Sequence, residues 1–547
     1  MRQIDIIKMY ASKKCLVIDD FPEMRGFIRR AVMLFGADSV DTASNGDEAI
    51  QKCDRNEYDI IFADYNLGDT SKNGQQILEE LRYKNVLKNT AAYIMITAEA
   101  TRDMVFSALE YQPDGYITKP FTQNALRARL DRIMLEKESV AEINKAIDDK
   151  EYELGITLCI KQLEDGSKYK GLLNRKLAGL YVSTERYREA CALYKKVTSE
   201  RPVEWAMIGL GKVLLLIGEL ESAETLFRKL ISVGCNCMEV YDCLAEILRQ
   251  KEMSEEAQAT LSRALEISPL AIQRQKAYAD ISEHCGDLET AAKAHKSVVK
   301  LSPHSCYEEP ENYFGYARSL SALMEGNSEA DKKQLVEAQS VLKKVERRYP
   351  NNPQITLQTK LVESQVYASG KQDEKAKELM DKATVLYEKM DKNPDLEAAP
   401  EVMLEMAKTL LATGQNDDAQ KMLKEIASRS EGDANMSKQL DKLSDEPLSK
   451  EGKSSAISLN KEGKKLFDAE DYTAAANFFA KGLVIFPNNI ALNINMVFAY
   501  VKDADKNGVD KEIIERCKLS LKKVEHITED HRLYSHYKNL ENQVSRF

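Results

Sequence analysis

The feature that most restricts the fold of this chain is a spacing of 34 residues that recurs after residue 138. Small residues return at this interval, as Ala257 and Ala291 do, and a proline returns at it from Pro269 to Pro303. A repeat of this length is typical of stacked helix pairs. Small residues let two helices approach closely, and proline ends the second helix of a pair. The pattern therefore predicts an all-α array over most of the 547 residues.

Four consecutive units of this array resemble tetratricopeptide helix pairs. Weaker units follow up to residue 428, and a clear unit returns near Gly463. The resemblance implies a groove that binds a peptide or a protein. The residues that carry the pattern are Leu177, Ala178, Tyr181, Ala190 and Tyr194, then Leu210, Gly211, Leu214, Ala223 and Phe227, then Leu244, Ala245, Leu248, Ala257 and Leu261, then Ala279, Gly286 and Ala291, and later Gly463, Leu466, Ala475 and Phe479.

The first quarter of the chain has a different pattern. Four short apolar runs are separated by stretches with helical spacing, and the runs lie at 15–18, 60–63, 93–96 and 115–118. Continuous apolar runs of this length are typical of strands that are buried on both faces of a parallel sheet. Their alternation with helices predicts a doubly wound α/β domain with a parallel sheet.

Polar residues follow these runs, and we expect them to share one site. Asp19 and Asp20 follow the first run, and Asp64 follows the second. Thr97 and Lys119 follow the third and the fourth. Ligands bind at the carboxyl ends of parallel strands, where these residues would meet. Crowded carboxylates repel one another unless a cation neutralises them, and Mg²⁺ prefers such oxygen ligands. The set predicts a phosphoryl-acceptor site with Asp64 as the nucleophile.

Three segments, residues 19–25, 97–100 and 115–122, resemble the receiver domains of CheY-like response regulators. The resemblance covers residues 13–135 and implies a flavodoxin-like fold with a five-stranded parallel sheet. It also implies that Asp64 is the phosphoacceptor. The loop 67–74 after the acceptor is longer than is usual in the family, so the departure from the family pattern lies in this loop and not at Asp64.

The same resemblance implies a role for each polar residue around Asp64. Thr97 and Lys119 would assist catalysis, and Thr97 and Tyr116 would form the switch. The resemblance implies Mg²⁺ as the cofactor, with Asp19, Asp20, Asp64 and the backbone carbonyl of Asn66 as its ligands. It also implies a cis peptide bond between Lys119 and Pro120.

The pattern changes at several points along the chain, and these points give the predicted domain boundaries. The polar, aromatic-poor stretch 429–455 is interpreted as a linker. The predicted segments are an N-terminal extension (1–12), the receiver domain (13–135), a helical connector with a first atypical repeat (136–170), tetratricopeptide repeats (171–428), the linker (429–455), a further repeat region (456–504) and C-terminal capping helices (505–547).

The combined prediction is a two-component response regulator that accepts a phosphoryl group from a histidine kinase on Asp64. Its repeats would act on protein partners, and another response regulator is one candidate. The architecture resembles that of auxiliary regulators of the VieB type. Two outputs remain open: the repeats recruit an effector, or the protein binds a kinase or a second regulator and inhibits a phosphorelay. The lack of a recognisable catalytic or DNA-binding output segment supports the inhibitory role. The chain is not predicted to be an enzyme, beyond its own phosphotransfer and autodephosphorylation. The alternative is a constitutive tetratricopeptide scaffold with a phosphorylation-silent receiver.

Charge and composition argue against other classes of protein. The formal net charge is −10 and the pI is about 5.5, whereas a nucleic-acid reader needs a basic face. No window approaches the roughly 18 apolar residues of a membrane span. The first residues lack the apolar region of a secretory signal. The ten cysteines are scattered, which favours reduced thiols. These features predict a cytoplasmic protein that binds neither nucleic acid nor membrane.

Overall fold

The structure is a computed structural model that describes residues 8–546, except 69–70, 99–109, 325–327, 393–395, 397 and 508–510. It divides into two compact units, Met1–Asn312 and Tyr313–Phe547. Each unit has hydrophobic clusters of its own. The receiver resemblance also implies a switch surface around residues 104–109 and 116–126, and residues 104–109 lie outside the described part of the chain.

The described part of the first unit begins with a five-stranded parallel sheet, as predicted. Its strands lie in the order β2-β1-β3-β4-β5. β2 did not form an apolar run because it lies at the edge of the sheet, where only Val40 and Ala43 of this strand are buried. The strands are β1 (Lys14–Ile18), β2 (Ser39–Ala43), β3 (Ile60–Asp64), β4 (Ala92–Thr97) and β5 (Gly115–Thr118).

Helices cover both faces of this sheet. In β1, Cys15 and Val17 belong to one hydrophobic cluster, while Leu16 and Ile18 belong to another. This alternation follows from the two-residue period of a strand, and it gives the doubly wound fold. The helices of this domain are α1 (Pro22–Phe35), α2 (Gly46–Arg55), α3 (Gly74–Tyr83) and α4 (Gln123–Ser139).

After α4 the described chain is entirely helical. The first unit continues with α5 (Ala141–Asp148), α6 (Tyr152–Glu164), α7 (Lys170–Ser183), α8 (Tyr187–Glu200), α9 (Glu204–Leu216), α10 (Leu220–Ser232), α11 (Met238–Gln250), α12 (Ser254–Ile267), α13 (Ile272–His284) and α14 (Leu288–Leu301). Then follow α15 (Pro310–Ala322), α16 (Glu329–Arg348), α17 (Pro353–Ser369), α18 (Asp373–Asp391), α19 (Pro400–Ala412), α20 (Asn416–Arg429), α21 (Ala434–Leu443), α22 (Lys450–Asp468), α23 (Tyr472–Ile485), α24 (Ile490–Asn507), α25 (Lys511–Lys523) and α26 (Tyr534–Val544).

Consecutive helices pack against one another, and small residues mark the places where they approach most closely. A Cβ atom at Gly211 of α9 would lie 2.5 Å from the ring of Phe227 in α10. A Cβ atom at Gly463 of α22 would lie 2.3 Å from the ring of Phe479 in α23. In both pairs the glycine precedes the aromatic residue by 16 positions. At these two positions the recurring small residues of the sequence correspond to close helix contacts.

The segment 429–455, predicted as a linker, contains packed helices instead. Met436 and Leu440 of α21 are buried, because their spacing of four residues puts them on one helical face. The buried carboxylate of Asp441 accepts hydrogen bonds from the backbone nitrogens of Leu448 and Ser449, at 2.7 and 2.9 Å. The prediction of a linker relied on polar composition, but one narrow apolar stripe is enough to pack a short helix.

The last two helices, α25 and α26, close the second unit. Val524, Tyr537 and Leu540 belong to the same hydrophobic cluster as residues of α22, α23 and α24. Within the described ranges, no helix is long and apolar enough to cross a membrane.

Candidate functional site

Three aspartates meet at the carboxyl edge of the sheet. Asp19 and Asp20 follow β1, Asp64 ends β3, and these two strands are neighbours. One carboxylate oxygen from each aspartate lies within 4.8 Å of the other two. Asp19 is fully buried and Asp64 is 5 % exposed, while Asp20 is exposed to solvent. The pocket therefore has a buried floor and an open rim.

Lys119 bridges the two buried carboxylates. Its ammonium group lies 2.8 Å from the Oδ2 atom of Asp19 and 2.7 Å from the Oδ2 atom of Asp64. The cis peptide bond between Lys119 and Pro120 is present, as the sequence predicted. Burial alone would lower the pKa of the lysine, but the hydrogen bonds to both aspartates outweigh it and raise the pKa. Lys119 is therefore held as a cation against the acidic pair.

The electrostatics of Asp64 reflect a balance between burial and neighbouring charge. Burial raises the pKa of its carboxyl group, and the negative charge of Asp19 raises it further. The hydrogen bond from Lys119 and the backbone N–H of Asn66 act in the opposite direction, although the net pKa remains raised. A crowded carboxylate of this kind gains from any further cation that enters the pocket.

Thr97 ends β4 next to this group. It is 2 % exposed, and its carbonyl oxygen accepts a hydrogen bond of 2.7 Å from the backbone nitrogen of Lys119. Tyr116 of β5 is half-buried, and burial raises the pKa of its hydroxyl, an effect that the neighbouring Thr97 partly opposes. The structure thus brings Thr97 and Tyr116 close to each other, with Thr97 at the edge that carries Asp64.

The residues after Asp64 form a loop that turns back into α3. Asn66 is exposed, and its side chain accepts a hydrogen bond of 3.1 Å from the backbone nitrogen of Gly68. The backbone nitrogen of Gly74 donates to the carbonyl oxygen of Tyr65 at 3.0 Å. Residues 69 and 70 of this loop lie outside the described part of the chain.

Two further residues, Gly74 and Arg25, shape the pocket, and their roles were not predicted from the sequence. A Cβ atom at Gly74 would lie 2.3 Å from the carbonyl oxygen of Asp64, so only glycine lets α3 begin there. The guanidinium group of Arg25 donates to the carbonyl oxygen of Asp19 at 2.5 Å. A glycine at the start of a helix that follows a buried strand was the available signal for Gly74. Arg25 contacts a backbone carbonyl, which every residue has, so no sequence pattern could indicate its role.

The donors of the pocket fit a hard divalent cation. Asp19, Asp20 and Asp64 supply carboxylate oxygens close enough to share one ion, and oxygen is the ligand type that Mg²⁺ prefers. Exposure of Asp20 leaves room for the waters that Mg²⁺ usually retains. The three aspartates can therefore hold Mg²⁺.

Residues 15–131 match the family model described as response regulator receiver domain. The chain is 32 % identical over 120 residues to the chemotaxis protein CheY-3 of Vibrio cholerae serotype O1, which covers 22 % of this chain and 90 % of that protein. It is 30 % identical over 120 residues to the chemotaxis protein CheY of Pseudomonas aeruginosa, covering 22 % of this chain and 94 % of that protein. A CheY-like receiver domain structure from Methanospirillum hungatei JF-1 is 22 % identical, with a TM-score of 0.22, covering 24 % of this chain and 98 % of that one.

Proposed function

Because this chain belongs, through its N-terminal domain, to the response regulator receiver family, we propose that it accepts a phosphoryl group on Asp64 from a histidine kinase. The observation that carries the proposal is the pocket in which Asp64, Asp19 and Asp20 lie together, with Lys119 bonded to the two buried members. A carboxylate nucleophile, a fixed cation and a set of metal-binding oxygens are the parts that acyl-phosphate formation requires.

In the proposed reaction, a carboxylate oxygen of Asp64 attacks the phosphorus atom of a phosphohistidine. The new O–P bond forms as the P–N bond breaks, and the imidazole nitrogen keeps the electron pair and takes up a proton. Lys119 already donates to Asp64 and is placed to offset charge on the phosphoryl oxygens. Mg²⁺, held by the three aspartates and the backbone carbonyl of Asn66, would supply further neutralisation of that charge.

We further propose that Thr97 and Tyr116 report the modification. Phosphorylation adds about −1.5 to −2 charge at neutral pH. The hydroxyl of Thr97, which is buried at the same edge, would donate to a phosphoryl oxygen. Tyr116 would then lose its interaction with Thr97 and move inward. A shift of this kind changes the relative population of two states of the domain.

The output we propose is protein binding by tetratricopeptide repeats at 171–428 and 456–504. Its support is the sequence period of 34 residues together with the close helix packing at Gly211 and Gly463. Stacked helix pairs present a continuous face to partners. A cytoplasmic auxiliary regulator that binds a kinase or a second response regulator, and so limits phosphoryl flow, fits this design, and recruitment of an effector is the other form of the same proposal.

The test of phosphoryl acceptance uses the full chain, Mg²⁺ and an acyl phosphate of low molecular mass. We expect one phosphoryl group per chain, released by hydroxylamine as acyl phosphates are, and lost in Asp64→Asn. The control Asp54→Asn removes a carboxylate at the surface of α2 and should keep full labelling. Wild-type protein that stays unlabelled would leave only the constitutive scaffold. Labelling that persists in Asp64→Asn would contradict Asp64 as the acceptor.

A further inference from the structure

The helix pairs of the first unit hold one edge of the receiver domain. We name this edge, which consists of Asn89–Thr90, Glu110–Gln112 and α3, the docking edge. Asn89–Thr90 precede β4 and Glu110–Gln112 precede β5, so these segments lie at the amino ends of the strands. The acidic pocket lies at the carboxyl ends. These two segments and the pocket are therefore at opposite ends of the strands, while α3 begins beside Asp64 and runs away from the pocket.

The first contact of the docking edge is ionic. The guanidinium group of Arg274, in α13, lies 2.8 Å from the carboxylate of Glu110 and 2.7 Å from that of Asp242 in α11. The hydroxyl of Ser268 donates to Glu110 at 3.2 Å. Arg274 is only 6 % exposed. A buried arginine needs compensating charge, and here the receiver supplies one of its two carboxylates.

A second contact ties the docking edge to the connector. The carboxylate of Asp148, at the end of α5, accepts hydrogen bonds from the backbone nitrogens of Asn89 and Thr90, at 2.7 and 3.1 Å. It also accepts hydrogen bonds from both of their side chains, at 2.9 and 3.0 Å. One carboxylate thus satisfies four donors of the receiver domain.

A third contact involves α3. The side chain of Gln76 donates to the carbonyl oxygen of Pro303 at 3.3 Å, and the ring of Tyr83 packs edge-on against that of Tyr307, with centroids 6.1 Å apart. Glu79 of the same helix is buried and hydrogen-bonds the hydroxyl of Tyr111. The contact area of the docking edge therefore extends from the connector to the segment that follows α14.

The residues that meet Glu110–Gln112 share a position within the helix pairs. Arg175, which donates to Gln112 at 3.2 Å, lies in α7, and Trp205, which lines the same cavity of about 820 Å³ as Gln112, lies in α9. Asp242 and Arg274 lie in α11 and α13. All four belong to the first helices of successive pairs, and the face built by such helices is where a repeat array takes its partners.

We propose that the face formed by α7, α9, α11 and α13 is a docking groove whose occupant is the receiver domain of the same chain, so that a protein partner of this face has to displace the receiver. Glu110 is the anchor, because it is the receiver carboxylate that compensates Arg274. Asp20 is exposed, and none of the three aspartates of the pocket takes part in the docking contacts described, so phosphoryl transfer and docking are compatible. The proposal concerns the unmodified chain and stands apart from the chemistry of Asp64.

The chain contains a single tryptophan, Trp205, which reports on the groove. Glu110→Arg places a second cation against Arg274 and should release the docking edge. We expect acrylamide quenching of Trp205 to rise about twofold, because the receiver no longer covers the cavity. Amide hydrogen exchange at residues 110–114 should become about tenfold faster or more. The matched control is Glu138→Arg, at an exposed position near the end of α4.

Far-UV circular dichroism checks that each variant is folded, and the measurements are made without any phosphodonor. If Glu110→Arg loses helical signal, the test rests on Glu110→Gln, which removes the negative charge without adding a positive one. This variant should give a smaller increase in Trp205 quenching and in amide exchange. The proposal would be overturned if quenching and exchange in Glu110→Arg and Glu110→Gln equalled those of wild type. It would also be overturned if they changed equally in Glu138→Arg. Neither result depends on whether Asp64 can be phosphorylated.

Discussion

Replacing Gly211 with alanine tests whether the recurring small residues serve to bring helices together. The new Cβ atom would lie 2.5, 2.7 and 3.1 Å from Cζ, Cε1 and Cε2 of Phe227. Non-bonded carbon atoms prefer separations of about 3.5–4.0 Å. Phe227 is fully buried, so its ring has no free space at the surface to move into. The ring or the helix α9 must therefore shift by about 1 Å.

Overpacking of this kind costs about 1–3 kcal/mol of stability. Alanine also has a higher helix propensity than glycine by roughly 1 kcal/mol, which partly hides the strain. Gly179 in α7 is the matched control, since a Cβ atom there meets no heavy atom within 4 Å. Gly179→Ala should stabilise the protein by roughly 1 kcal/mol. The difference between the two variants in free energy of unfolding should be about 1–3 kcal/mol.

The assay is urea unfolding followed by the fluorescence of Trp205. This residue lies in α9 with Gly211, and its ring packs edge-on against Tyr194. Phe227→Leu removes the distal ring atoms that the new Cβ atom would strike, so Gly211→Ala should cost at least about 1 kcal/mol less in that background. Equal costs in both backgrounds, or equal effects at Gly211 and Gly179, would refute the packing argument.

Three further outcomes follow from the described contacts. Gly74→Ala forces the carbonyl oxygen of Asp64 aside, so we expect labelling by an acyl phosphate to be lost while the helical circular dichroism is retained. The hydrogen bond to Asp445 raises the pKa of His526. Their pairing therefore stabilises the fold fully below the unfolded-state pKa of about 6.5, and this stabilisation is lost as the pH rises through the folded-state pKa. In His526→Gln the midpoint of urea unfolding should depend less on pH than in wild type. Burial raises the pKa of Glu79 to about 7, so the fold loses stability as the pH rises from the unfolded-state pKa of about 4.3 to that value. Glu79→Gln removes this loss, so relative to wild type it should gain roughly 2 kcal/mol between pH 5 and pH 8, measured by urea unfolding.

The sheet and the pocket could be predicted because each depends on local sequence. A strand buried on both faces must be apolar throughout, so β1, β3 and β4 were visible as runs. The polar residues that follow such strands necessarily meet at one edge of a parallel sheet. β2 was not visible, because an edge strand tolerates the polar residues Ser39, Asp41 and Thr42.

The docking contacts could not be predicted, because they join residues that are distant in sequence. Glu110 and Arg274 are separated by 164 positions, and each alone is indistinguishable from a charge on a solvated helix. Asp148 likewise gives no local sign that it caps the backbone at Asn89 and Thr90. Only the folded arrangement shows that these charges are buried and paired. The helix α21 was missed for a related reason, since two apolar residues in a polar segment are too few to identify a packed face.

The bond between Glu110 and Arg274 joins two parts of one molecule, so its strength does not depend on how much protein is present. A tethered ligand of this kind acts as though it were supplied at an effective concentration of roughly millimolar. If the closed form outnumbers the open form by about a hundredfold, a competitor in solution binds with an apparent Kd about a hundredfold weaker than its intrinsic one. Dilution of the protein then leaves the receiver domain in the docking groove. A competitor therefore displaces the receiver domain only if its intrinsic affinity is high, or if another event changes the ratio of the closed and open forms.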